Sequence, residues 1–492
     1  MTVASVSGAR GEKRLELERS TPESVGISSQ AILDFIQGCE DETDAVHSFM
    51  IYRHGKLVSD GWWAPHGPDT QHIMHSMSKA FTSTAVGIAI GEGLFSLDDK
   101  VISFFPEKAP ENPSENMSNL RIRQLITMTT GHRTSTSSEF RSRKDGDWVK
   151  SFFEQDPELK PGTYFLYNSG ASYMLSAIIQ KVTGEKMVDY LKPRLFDKLG
   201  IDHFYWEECP RGINAGGWGL FIQTESILRL GVLYNQKGLW NGERILSEEW
   251  VKLATSKQVS NGNAPQSDWD QGYGFQFWQS RHGYRGDGKW GQFCFILPEQ
   301  DAVIAVTSGN SDMQKIMNLA WDNLLAGMSD HPLPENSELN RKLEKRSKHL
   351  SLFRVNAHSG NTLSSHVSGN RYRLLENPIG MKSLDIKFSE TYDSVTIAFE
   401  EGKEAMFHIG REEWISAELE WPKVGAGLQE VASQGIWISE NTYQFKVSFY
   451  ERCVLMTVTL RFEGEVAIVD VDTNVDYFDE PYPQLVGVKE GK

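Results

Sequence analysis

Apolar residues recur along this chain first as a mixture of helical spacing and short runs, and then, past residue 370, in strict alternation. Ile32, Phe35 and Ile36 place one apolar face on a helix over 29–39. Phe49-Met50-Ile51-Tyr52 and Lys56-Leu57-Val58 flank Arg53-His54-Gly55, the pattern of a hairpin. Residues 80–90 are small and apolar and close on Gly91 and Gly93, which predicts a buried helix beginning near Ser76. Further helices are expected over 120–128, from Tyr173 to Gly184, over 224–234 with Thr224 as its cap, and over 316–325. Strands are expected at 274–278, 292–297 and 302–307, the last two joined by the turn 298–301. A helical middle between an early hairpin and late strands is the plan of an α/β (α+β) domain with a helical insertion. The alternation at 384–388, 394–399, 444–449, 455–460 and 466–469 predicts a separate all-β domain, a sandwich or a barrel. The expected division is a polar lead (1–20), a main domain (21–328), a polar linker (329–370) and the C-terminal β domain (371–492).

At 492 residues the chain exceeds one ordinary core, in keeping with that division. Lys and Arg number 50 against 66 Asp and Glu, and the resulting net charge of −16 repels nucleic acid and anionic membrane surfaces. Cys39, Cys209, Cys294 and Cys453 lie far apart with no C-x-x-C pair, so reduced buried thiols are expected rather than zinc or a disulfide framework. The lead lacks an apolar stretch of secretory type and no apolar run reaches membrane-spanning length, which points to a soluble cytoplasmic protein. Asp470-Val471-Asp472-Thr473-Asn474-Val475-Asp476 begins like a calcium loop but has Val475 where the sharp turn needs glycine, so no metal is expected there. The polar stretch 133–147 is long enough to be a lid over a site.

Chemistry enters at Ser76-Met77-Ser78-Lys79, the one S-x-x-K in the chain. On a helix the two ends of that motif share a face. A serine hydroxyl needs a base within hydrogen-bond reach, and a desolvated lysine can lose its proton and serve. A serine at a helix start also meets free N–H groups that favour developing negative charge. In isolation the same four residues more often describe a capping serine beside an exposed lysine. Trp218, Trp290 and Tyr284 are candidates to line an apolar pocket, although aromatic residues are more often core.

Three ordered stretches carry a resemblance. They are Ser76-Met77-Ser78-Lys79, then Leu166-Tyr167-Asn168-Ser169-Gly170 ahead of a helix ending Val182-Thr183-Gly184, then Gly286-Asp287-Gly288-Lys289-Trp290-Gly291-Gln292 entering paired strands. Together they resemble the serine β-lactamase and penicillin-recognising hydrolase superfamily, in the class C-related branch that includes esterases, D-aminopeptidases and nylon-oligomer hydrolases. The likeness covers about residues 21–327 and does not reach the C-terminal third. It implies a mainly antiparallel sheet flanked by helices, with Tyr167 as a third catalytic residue that relays a proton. It also implies Lys289 N–H as an oxyanion donor opposite Ser76 N–H, Gly288 permitting close approach, and Ser169 near the substrate. Two departures stand out: Tyr167-Asn168-Ser169 replaces Tyr-x-Asn, and Gly286-Asp287-Gly288 lacks the usual cation. The missing cation favours a small neutral ester or amide over a β-lactam or D,D-peptide, and no metal or organic cofactor is required. A β-lactamase or D,D-peptidase is the nearest rival reading. A non-catalytic binding or scaffold protein is the rival of a different class.

Overall fold

The hairpin near residue 50 occupies one side of a six-stranded antiparallel sheet in a computed structural model that describes residues 16–355, 357–358, 363–421, 427–476 and 482–491. Its strands run in the order Lys56–Trp62, Val46–Arg53, Ala302–Ser308, Gln292–Leu297, Tyr284–Gly288, Trp278–Gln279. The central strands are apolar on both faces because both faces are covered. Phe49, Ile51, Phe295, Ile304 and Val306 pack against the Ser29–Glu42 and Met313–Leu319 helices. The alternate residues Met50, Ile296, Val303 and Ala305 face the Ser78–Gly91 and Thr224–Asn235 helices. A helical insertion that includes Ser169–Thr183 lies beyond that second layer. A small sheet of His72–Ile73, Leu220–Ile222 and Tyr205–Trp206 sits at its edge.

Several elements differ from expectation. Of 274–278, only Trp278 joins the sheet, because Gln276 turns at φ 66° and donates from its side chain to the Ile126 carbonyl (2.9 Å). The helix expected over 120–128 is shortened to Ile122–Ile126 and follows a separate short helix, Glu115–Asn119. Thr224 caps nothing; its hydroxyl pairs with Ser48 (2.7 Å) and Gln223 holds the cap position. Within 329–370, Ser337–Ser347 is a helix that buries Leu343 in the same cluster as Trp63, Leu350 and Leu352. Residues 1–15 of the expected lead lie outside the described residues, whereas Glu18 and Ser20 bond to the backbone of Leu57.

The C-terminal strands form one antiparallel sheet of ten, from Glu404–Ile409 at one end of the order to Ile415–Leu419 at the other. Those end strands are neighbours, and a bridge between Gly410 and Gln434 curls the sheet into a barrel rather than a sandwich. Tyr443, Phe445, Phe407 and Trp421 fill it. Asp470–Thr473 continue the Val466–Thr473 strand, and Gln484 donates to Asp470 (2.7 Å). Ile73, Phe221 and Trp290 of the first unit belong to the barrel's apolar cluster. Among the described residues no helix is long and apolar enough to cross a membrane, and no group of acidic, histidine or cysteine side chains is arranged to hold a metal.

Candidate active site

Ser76 stands where the chain reverses from strand to helix. His75 takes φ 43°, a 3-10 turn spans His75–Met77, and the α-helix begins at Ser78, two residues later than Ser76. Ser78 pins the reversal, its hydroxyl donating to His75 O (2.6 Å) and accepting from Leu220 N–H (3.1 Å). The turn keeps the expected spacing, with Lys79 Nζ 2.9 Å from Ser76 Oγ. Lys79 is 1% exposed, and its Nζ also reaches Gly217 O (2.7 Å) and Ser169 Oγ (3.1 Å). Burial pulls its pKa down to about 7, against the opposing pull of Asp287.

Tyr167 arrives from the other side of the insertion. The next residue, Asn168, caps the Ser169–Thr183 helix by accepting from Gly170 N–H (3.0 Å), and also accepts from Thr136 N–H (3.1 Å) and the Thr136 hydroxyl (2.9 Å). These bonds tie the 133–147 stretch down beside the site. The Tyr167 ring stacks on Trp278 (5.2 Å, 27°), and Lys79 Nζ lies 4.7 Å from its centre. Burial, then the Asp287 charge, raise the phenol's pKa, while hydrogen bonding with Ser76 opposes the rise, so the hydroxyl stays protonated at neutral pH.

Gly288 closes the third side. A Cβ there would stand 2.2 Å from Met74 O and 3.1 Å from Met77 N, so only glycine lets this strand abut the turn that carries Ser76. Lys289 follows in the turn closed by Gly291 N–H donating to Gly288 O (3.1 Å), and its exposed side chain covers the Trp290 ring at 4.2 Å. Trp290 is buried edge-on to His75 (5.2 Å), and the half-buried Trp218 leans on Trp148 (5.7 Å). The Tyr284 ring is buried edge-on to Phe277 (6.1 Å), because its place on the strand faces the core.

Sequence reasoning gave no role to three groups at this site. Arg285 and Asp287, two apart on one strand and therefore on one face, form a buried ion pair (2.9 Å) whose charges reach the site, Asp287 acting on Lys79 and both on Tyr167. Burial raises Asp287 to about 6, with Arg285 and Lys79 holding it down. Their signal was two charges in an otherwise apolar stretch. The third group, the Gly217 carbonyl, has no side-chain signature.

A serine and a buried lysine one turn apart, at the head of a helix packed on an antiparallel sheet, define a serine hydrolase architecture. The chain belongs to the Beta-lactamase family, whose sequence profile matches residues 42–326, over half of its length. It is 25% identical over 314 residues to the 6-aminohexanoate-dimer hydrolase of Paenarthrobacter ureafaciens, covering 58% of this chain and 78% of that one. It is 25% identical over 185 residues to the lovastatin esterase of Penicillium rubens, covering 32% of this chain and 46% of the esterase. A solved candidate 6-aminohexanoate-dimer hydrolase of Bacillus anthracis shares the fold, with a TM-score of 0.51 at 18% identity over 67% of this chain and 88% of that one.

Proposed function

We propose that this serine hydrolase cleaves a small, uncharged ester or amide through an acyl-enzyme on Ser76. The surroundings of Lys79 carry the reading. A neutral amine has two N–H donors and one lone pair. With the donors spent on Gly217 O and Ser169 Oγ, the lone pair is left for the Ser76 hydroxyl at 2.9 Å. Ser76 gives its proton to Nζ as Oγ bonds to the substrate carbonyl carbon and the π pair moves to oxygen. The N–H groups of Ser76 and Lys289 hold that oxyanion. When the adduct collapses, the leaving oxygen or nitrogen takes a proton from the Tyr167 hydroxyl, which recovers one from the Lys79 ammonium. Water then attacks the acyl carbon, Lys79 accepts its proton, and the acid departs as Ser76 regains its own.

Preference for an uncharged substrate rests on Gly286, which stands where relatives of penicillin-recognising type are expected to carry a cation, with the acidic Asp287 next to it. The names of the two curated relatives, a hydrolase of a 6-aminohexanoate dimer and an esterase, suit an amide or ester substrate. In this reading residues 21–328 are the hydrolase unit, joined through 329–370 to the β unit 371–492. Four buried free cysteines suit a cytoplasmic setting. A fluorophosphonate probe is expected to label the wild type and to lose its label in Ser76→Ala. Equal labelling of both rejects Ser76 as nucleophile, and rapid acylation of Ser76 by a penicillin would move the substrate class to β-lactams.

A further inference from the structure

The barrel's hairpin between Thr442–Phe449 and Val454–Glu463 ends in four residues, Tyr450 to Cys453, all engaged with the hydrolase unit. Tyr450 meets the His66 ring edge-on at 6.5 Å. Glu451 O accepts from Ile73 N–H (2.9 Å), extending the small sheet by one bond at the strand that leads into His75 and Ser76. Arg452 lies over the ring of Phe221 (4.9 Å), in the strand Leu220–Ile222, and pairs with Glu207 (3.5 Å), just past the strand Tyr205–Trp206. Cys453 Sγ accepts from Gln292 Nε2 (3.3 Å), and Gln292 also donates to Lys289 O (3.1 Å). Gly309 marks the closeness of the fit, since a Cβ there would stand 2.1 Å from Cys453 O.

The tip therefore touches two segments at once: the strand that delivers Ser76, and the turn that carries Lys289. Those are the two sides of the proposed oxyanion hole. Arg452 is near enough to His75 for its charge to oppose protonation of that ring.

We infer that the hairpin tip 450–453 is a positioning element of the hydrolase site, with Arg452 as its anchor, fixing the spacing between the Ser76 and Lys289 N–H groups. This rests on the acyl-enzyme reading above. None of the four residues reaches the reacting atoms; the tip acts through the backbone it holds. The C-terminal barrel is then part of the catalytic apparatus although the family match ends at residue 326.

The test uses the full chain carrying Arg452→Ala, Arg452→Lys or Gly309→Ala, with steady-state hydrolysis of a p-nitrophenyl ester, fluorophosphonate labelling and thermal unfolding. For Arg452→Ala and Gly309→Ala, kcat is expected to fall about 10- to 100-fold with KM within about two-fold, as misplacement of a preorganised site predicts. Arg452→Lys, which keeps the charge facing Glu207, is expected to recover part of the loss. The melting point should stay near the wild-type value in the Arg452 variants and fall by a few degrees in Gly309→Ala, whose Cβ must displace the Cys453 backbone, and the label should remain on Ser76. Wild-type kcat in both Arg452→Ala and Gly309→Ala overturns the inference, as does a loss that appears in KM alone or only in proportion to unfolding. If these variants match a wild type whose label is lost in Ser76→Ala, the acyl-enzyme reading stands and the positioning role falls. A wild type that takes no label on Ser76 removes both.

Discussion

A lysine amine among three oxygens has to choose which bonds it donates, and burial makes that choice at Lys79 depend on pH near neutrality. Below its pKa of about 7 the ammonium has no lone pair for the Ser76 proton. We therefore expect kcat/KM to rise with pH through about 7 and then level, measured on an uncharged ester. Asp287 favours the charged amine, so Asp287→Asn should move that rise to lower pH; a rise that stays in place or moves upward contradicts the assignment. Tyr167→Phe keeps the stacking on Trp278 and removes the proton relay, so kcat should drop by about 10²- to 10⁴-fold with little change in melting point. Ser76 and Lys79 were legible because one local segment holds both. Tyr167 was legible only by resemblance, since no local pattern links it to residues ninety positions earlier. Arg285 and Asp287 were visible as charges but not as a pair, because pairing depends on the strand's facing.

At the scale of elements, the site is made by a close approach of backbones. Gly288→Ala puts a Cβ 2.2 Å from Met74 O and must displace the turn that holds Ser76. The expected result is a loss of about 100-fold in kcat and about 1–3 kcal/mol in stability, read by steady-state kinetics and urea unfolding. Long elements followed their periodicity: the early hairpin, the helix after Ser76 and the two strands around residue 300. Short ones did not, because strands of two or three residues, such as His72–Ile73, carry no period to detect. Residues 120–128 read as one helix since their apolar spacing continues through Leu120. Arg121 is extended, and its N–H donates to the Gln124 side chain (2.8 Å), which starts a new helix.

Across the whole molecule, alternation after residue 370 identified a β unit but not its closure, because period two fixes faces and leaves the ends of the sheet unspecified. Closure sits near a polar knot in which buried Asp393 accepts from Tyr443 Oη (2.9 Å) and from Arg411 Nη2 (2.7 Å). Asp393→Ala strands the buried Tyr443 hydroxyl and should destabilise the barrel by about 1–3 kcal/mol in denaturant unfolding. An unchanged midpoint would mean that the knot contributes nothing to closure. The linker was only partly legible, since Leu343 is a single apolar contact in a charged helix. The docking of the hairpin tip beside Ser76 could not be read at all, being a contact between distant segments of different units.

The account depends above all on a covalent intermediate at Ser76. Rapid acid quenching during turnover of a p-nitrophenyl ester, followed by intact and peptide mass analysis, tests it most directly. The expected result is one acyl group per chain, located on the peptide that contains Ser76 and lost on longer incubation. Continued hydrolysis with no adduct at any quench time, or an adduct on another residue, would contradict it.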